Sequence, residues 1–219
     1  TEPQQQKHAR FSSIIVPTDT PGYRIERVVP TMGSTLGGHC EVRLDNVRVP
    51  RENLLGGRGQ GFVIAQKRLG PGRIFHCMRW LGQAQRAFEL MCEYAKVRYA
   101  HGSMLAEKGE IQRYVAESAA EIQAARLMTL DAARLMDAGD EARVQISLIK
   151  FWGARMLHNV IDRAIQVHGA LGVTSDTPLE HMYREARFAR IYDGPDEVHR
   201  MVVARQLLKD PVGNAPWQG

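Results

Sequence analysis

Cysteine is scarce in this sequence, with Cys40, Cys77 and Cys92 the only three in 219 residues. An odd number without metal-ligand or redox spacing argues against a disulfide framework and points to a reducing compartment. Long apolar runs are missing too, so no segment reads as a membrane span, and residues 1–8 are polar with no signal-peptide core. The chain does not begin with Met, which suggests a fragment or a processed protein. Nucleophile signatures are likewise absent: there is no G-x-S-x-G, and no motif beside any cysteine would activate its thiol. A net charge of +5 favours phosphate-bearing partners, but the charges are interspersed and no nucleic-acid-binding signature accompanies them, so nucleic acid is not expected.

What is present is 44% hydrophobic residues, enough for a sizeable core in one large domain or one and a half. Residues 11–17, 23–30 and 39–49 alternate apolar with polar residues, and prolines and glycines punctuate the gaps, a β reading. Residues 18–22 form a turn, and Gly37 with Gly38 opens the third run. So few strands cannot close a barrel, so partner strands are expected to be cut away or supplied by another chain. The glycine run Gly56, Gly57, Arg58, Gly59, Gln60, Gly61 lacks the lysine and hydroxyl residue of a P-loop and reads as a domain linker.

From Phe62 onward the periodicity is helical. Gly70, Pro71 and Gly72 should break or kink the first segment, leaving Arg73 at a new helix N-terminus. The restarted helix places Ile74, Cys77, Met78, Leu81, Gln85, Phe88, Cys92 and Ala95 on one face. The next has Ile111, Val115, Ser118, Ile122, Ala125, Thr129, Ala132 and Met136, and stops at residues 137–140. A third runs through Ile146, Ile149, Gly153, Met156, Val160, Ala164 and Val167 to a turn over 169–176. Two shorter helices, roughly 178–191 and 195–209, complete an antiparallel bundle.

The residues that could carry chemistry cluster around these helix ends. Asp193 sits on the joint between the last two helices. It reads either as an N-cap or as a general base that a substrate-closed, dry pocket must keep basic against the nearby backbone N–H groups. Pro195 suits a first turn, and Asp196 and Glu197 face the positive end of the helix dipole. Arg73, at a helix start disfavouring cations, needs an anion from the protein or from a ligand. Arg98 ends its helix as a cap would. Gln166, Gly169 and Ala170 belong to a glycine-punctuated helix end, either a plain C-cap or a place where a ligand approaches the backbone. His168 has no second ligand at metal spacing and reads as a packed histidine. Arg184, Arg187 and Arg190 form a salt-bridged or solvated strip, or an interface.

Assembled, these motifs resemble the acyl-CoA dehydrogenase family, covering the second half of that family's usual chain. The matching features are Ser12 to Pro17 with Thr20, Pro21 and Gly22; Glu41 to Pro50 leading to Asn53, Leu54, Leu55 and Gly56; and Arg73 opening a long helix with Gly82, Gln85, Arg86 and Ala87. To these add Ala95 to Gly102, Gln166 to Gly172, Arg184 to Arg187, and Tyr192, Asp193, Gly194. The runs over 69–73 and 193–199 look most like family members ten and eleven and their bacterial relatives.

The resemblance implies an α+β chain: residues 1–58 as the second half of a middle β-barrel domain, 59–210 as a C-terminal antiparallel helical bundle, and 211–219 as a tail. It implies a flavoprotein oxidoreductase of fatty acid metabolism that introduces a double bond between the α and β carbons of an acyl-CoA. In the family a carboxylate removes the α-proton while hydride passes from the β carbon to FAD. Asp193 occupies the position of that carboxylate, one methylene shorter than the usual glutamate. Some members place the base before the arginine of the long helix, where this chain has Gly72. By the same likeness Arg98 would reach the FAD pyrophosphate of a neighbouring subunit, with Gln166, Gly169 and Ala170 along its nucleotide part. Pro195, Asp196 and Glu197 would lie against the subunit's own FAD, and Arg73 and Gly194 would serve the substrate. Further implications are a homodimer or homotetramer, electron-transfer flavoprotein as acceptor, and no metal. The expected location is the cytoplasm of a bacterium, or a mitochondrion or peroxisome of a eukaryote. Competing readings are a flavin oxidase acting on another carbon acid, as in nitroalkane oxidation, and a non-catalytic helical assembly module.

Overall fold

The computed structural model describes residues 3–33 and 38–217. Gly37, expected to open the third β run, lies outside the described residues. The chain divides into two compact units, Thr1–Pro71 and Gly72–Gly219.

In the first unit, β1 (Ser13–Ile14) pairs antiparallel with β4 (Leu54–Leu55), and β2 (Tyr23–Val28) pairs antiparallel with β3 (Cys40–Leu44). The second pair runs from Tyr23 opposite Leu44 to Val28 opposite Cys40, with an irregularity between Ile25 and Arg27. Ile25, Val28, Val42 and Leu44 remain exposed on these ribbons. Two-stranded ribbons of this kind gain little stability from their own contacts in water. The glycine run serves packing: Gly61 N–H donates to Phe11 O at 2.8 Å, and a Cβ on Gly61 would lie 2.8 Å from the Ser12 carbonyl carbon.

Helix α1 (Gly61–Val97) continues through Pro71, which corrects the expected break at Gly70, Pro71, Gly72. Proline gives up its own N–H bond and crowds the Lys67 carbonyl, but the part of its clash with the preceding residue that involves a Cβ is absent at Gly70. Arg73 therefore sits inside a helix and not at its start.

The second unit is a helical bundle. After α1 come a hairpin of β5 (Tyr99–Ala100) and β6 (Ser103–Met104), then α2 (Gly109–Asp137), α3 (Arg143–His168), a short 3-10 turn (Gly169–Val173), α4 (Leu179–Ala189) and α5 (Asp196–Lys209). Both central hairpin residues, His101 and Gly102, have positive φ, as a two-residue turn of this hand requires. Helix α3 packs against α2, α4 and α5 and buries Ile146, Ile149, Gly153, Met156, Val160, Ala164 and Val167, the expected seam. The α2 seam is also observed, with Ser118, Ala125, Thr129 and Ala132 buried.

On α1 the expected face needs correction. Met78 and Gln85 are exposed, while Trp80, Ala84, Ala87 and Met91 are buried with Ile74, Cys77, Leu81 and Ala95. The small side chains of Ala84 and Ala87 have no accessible surface, so close helix approach fixes the buried stripe more than side-chain size does.

Candidate active site

Helix α4 closes with Ile191 N–H on Phe188 O, and the chain then turns through Asp193 at φ 51° and Gly194 at φ 106° before α5 begins. Left-handed backbone at a non-glycine residue costs on the order of 1 kcal/mol, and aspartate tolerates it better than most. At Gly194 a side chain is excluded twice over, since a Cβ there would also lie 2.7 Å from His199 Nε2. The N-cap of α5 is Pro195 and makes no side-chain cap bond, so the capping reading of Asp193 is replaced. The Asp193 carboxylate instead meets His76, with Oδ2 2.8 Å from Nε2, and the two side chains are only 19% and 17% exposed.

Three side chains hold the carbonyls of this strained turn. Arg73 Nε donates to Asp193 O at 2.9 Å, and His199 Nε2 lies 3.3 Å from the same oxygen. Lys150, fully buried on α3, donates through Nζ to Ala189 O at 2.8 Å and to Gly194 O at 3.2 Å. Its ammonium also lies 5.4 Å from the Trp80 ring and 5.2 Å from the Tyr192 ring, and Trp80 Nε1 donates to the Tyr192 hydroxyl at 2.8 Å. Such aromatic faces partly compensate a buried cation for its lost hydration.

Burial governs the protonation of this cluster. It pulls Lys150 down to about 8, against the charges of Asp196 and Asp193, and pulls His199 down to about 4. Burial also lowers Arg73, against the Asp193 charge, and lowers His76 despite its bond to Asp193. The Cys77 thiol is pushed up to about 12 by burial, leaving it inert as a nucleophile. The result is one carboxylate beside neutral imidazoles and two backbone-bound cations.

Of the sequence-predicted residues, Arg73, Asp193, Gly194, Pro195, Asp196 and Glu197 come together here. Asp196 is buried, with Oδ2 2.8 Å from Arg190 Nε and 3.6 Å from an Arg200 nitrogen, so its carboxylate anchors the start of α5. Glu197 is exposed. Arg184 bonds Glu180 within the strip on α4.

Arg98, Gln166, Gly169 and Ala170 lie apart from this cluster, at the ends of α1 and α3. Arg98 follows the last residue of α1, one turn beyond Tyr94, whose ring stacks on His168 with centroids 4.4 Å apart. His168 is buried and bonded to Ala164 O, a packed histidine. The ends of α1 and α3 thus meet at this ring pair, and Arg98, Gly169 and Ala170 are all exposed. Gln166 also lines a polar groove of about 360 Å³ with Arg113, Tyr114, Asn159, Asp162 and Arg163. Along α1 the two groups stand roughly 35 Å apart, from 1.5 Å per residue over the helix between Arg73 and Arg98.

Sequence pattern alone does not single out His76, Lys150 or His199. Lys150 carried the clearest signal, a lysine inside the apolar seam of α3, and His76 follows Arg73 by one helical turn.

Comparison with known proteins follows the same outline. The profile described as "Acyl-CoA dehydrogenase, C-terminal domain" matches residues 59–208. The chain is 50% identical over 211 residues to "Probable acyl-CoA dehydrogenase FadE2" of Mycobacterium tuberculosis, covering 95% of this chain and 52% of that protein. It is 48% identical over 214 residues to "Acyl-CoA dehydrogenase family member 10" of Mus musculus, covering 96% of this chain and 20% of that one. The crystal structure of acyl-CoA dehydrogenase from Geobacillus kaustophilus superposes with a TM-score of 0.89 at 30% identity, covering 94% of this chain and 55% of that chain. The chain therefore spans about half the length of the first of these relatives, and it belongs to the acyl-CoA dehydrogenase family, whose C-terminal helical domain it carries.

Proposed function

We propose that this chain supplies the C-terminal half of a flavin-dependent acyl-CoA dehydrogenase in which Asp193 removes the α-proton of an acyl-CoA thioester. The observation that carries the reading is the Asp193 carboxylate itself, largely covered and held on a strained turn whose carbonyls are fixed by Arg73, His199 and Lys150. A turn so constrained supports a base kept at one position. The Asp193 backbone N–H would polarise the thioester carbonyl, Arg73 and Gly194 would line the acyl-CoA side, and a bound acyl chain would exclude water from the carboxylate. FAD, when bound, supplies the acceptor for the β-hydride.

The residues of this chain fit a flavin. Arg98 is an exposed cation with no ion pair among the described residues, as a pyrophosphate ligand should be before it is engaged. Gly169 has φ 61°, and no heavy atom lies within 4 Å of where its Cβ would stand, which leaves its backbone approachable. Gln166 and Ala170 complete that surface. Pro195 and Glu197 would face the subunit's own flavin, with Asp196 contributing backbone because its carboxylate is taken by Arg190 and Arg200. The separation of the two groups along α1 supports flavins shared between subunits, hence a homodimer or homotetramer. Exposed Leu127 and Leu130 on α2 are consistent with such assembly. Residues 1–58 would complete a middle β domain, and electron-transfer flavoprotein would reoxidise the flavin.

The test is product identification. Incubating the complete FAD-loaded protein with saturated acyl-CoA should bleach the flavin and yield an acyl-CoA two hydrogens lighter. Oxygen consumption with a nitroalkane and no response to acyl-CoA would instead assign it to carbon-acid oxidation.

A further inference from the structure

The contact between Asp193 and α1 contains more than a lone carboxylate. His76 Nε2 lies 2.8 Å from Asp193 Oδ2, and Arg79, one turn further along the helix, places an Nη2 group against His76 Nδ1. A guanidinium nitrogen can only donate, so Nδ1 must accept, and the ring proton is left on Nε2, directed at the carboxylate. The three side chains form one directed series, Arg79 N–H to Nδ1 and Nε2–H to Oδ2.

We propose that His76 is a positioning residue for Asp193, locked by Arg79 as the neutral Nε2–H imidazole that fixes the carboxylate for proton abstraction.

The inference rests on the assignment of Asp193 as the base. Its independent support is geometric. His76 is largely covered, and the Tyr192 ring lies 4.6 Å from its centroid, so the imidazole cannot swing away without disturbing the packing of the turn. The charged and titratable groups facing it are Asp193 and Tyr192 from the turn, Arg79 from α1 and Lys150 from α3. Burial and two of these cations oppose an imidazolium, and Asp193 alone favours it. A protonated ring would also point an Nδ1–H at a guanidinium. His76 therefore acts as a fixed donor and does not form an ion pair with Asp193. The Nε2–H bond holds Oδ2 of the Asp193 carboxylate at one position.

The experiment uses the complete FAD-loaded protein with butyryl-CoA and octanoyl-CoA, read by flavin bleaching, together with nitrogen NMR of histidine-labelled protein. His76→Ala should lower kcat about 10- to 100-fold, the range expected for a misplaced catalytic group, while flavin content stays at the parent level and KM moves less than about twofold. His76→Gln, whose amide N–H can reach the same oxygen, should recover most of the loss. The parent spectrum should show His76 with a bare Nδ1 and a protonated Nε2 at neutral pH, and Arg79→Met should release that preference. A parent kcat in His76→Ala, a glutamine variant no better than the alanine one, or a His76 ring protonated on Nδ1 would each overturn the proposal. The NMR result decides even where the alanine variant fails to fold. Asp193→Asn in parallel separates the two claims: if it abolishes bleaching while His76→Ala does not, the base stands without its positioner. If Asp193→Asn bleaches normally, the base assignment itself falls.

Discussion

Lys150 Nζ lies 3.2 Å from the carbonyl oxygen of Gly194, so a cation buried in the middle of α3 fixes the turn that carries the candidate base. A buried ammonium is expensive unless its donors are used, and here two carbonyls and two aromatic faces use them.

Lys150→Met should therefore have opposed effects. It removes a costly buried charge but leaves the Ala189 and Gly194 carbonyls without their donor, at about 1–3 kcal/mol each. The net change in stability should be small, whereas acyl-CoA-dependent flavin reduction should fall at least tenfold because the turn is no longer fixed. The pH dependence follows from a folded-state value near 8 against an ordinary 10.5. The folded protein binds fewer protons in that interval, so the Lys150 contribution is fully present above about 10.5 and is lost as pH falls through about 8. Denaturant unfolding at pH 7 and pH 10 should show the parent gaining stability relative to Lys150→Met as pH rises.

Gly194→Ala should be disproportionately harmful for a single methyl group. Its φ of 106° disfavours any side chain, and the added carbon would press on the buried His199 ring. A loss of about 2 kcal/mol or more is expected, visible as a lowered Tm, with flavin bleaching abolished or nearly so. A variant as stable and active as the parent would show that the turn is looser than its contacts indicate.

Much of this was legible in the sequence. The seams of α2 and α3, the two short closing helices and the turn at 193–194 followed from periodicity and from glycine and proline placement. The α1 stripe differs because helical spacing alone places Met78 and Gln85 on the apolar face, and only tertiary packing shows that helices approach closely enough to bury Ala84 and Ala87 instead. Pro71 suggested a break that Gly70 relieves. Local pattern leaves Asp193 either a cap or a base, since one partner of its carboxylate, His76, is 117 residues away in the chain. Lys150 is the instructive omission: its position inside an apolar seam was visible, but the carbonyls it serves come from α4 and the following turn.

Arg98→Ala should separate cofactor retention from folding. Arg98 is exposed and its side chain has no ion pair among the described residues, so apo-protein stability should change by less than about 0.5 kcal/mol. Flavin retained per subunit after gel filtration should fall clearly below the parent. Equal flavin content would count against Arg98 as a pyrophosphate ligand.

Asp193 is the proposed base, and Asp193→Asn in the complete FAD-loaded protein tests that role most directly. The amide keeps the size of the side chain and can still accept from His76, so flavin content and Tm should stay close to the parent. Mixing with acyl-CoA should then leave the flavin absorbance unbleached, with a rate at least 1,000-fold below the parent, a loss of roughly 4 kcal/mol in the barrier's stabilisation. Bleaching at the parent rate would contradict the account and place the base elsewhere.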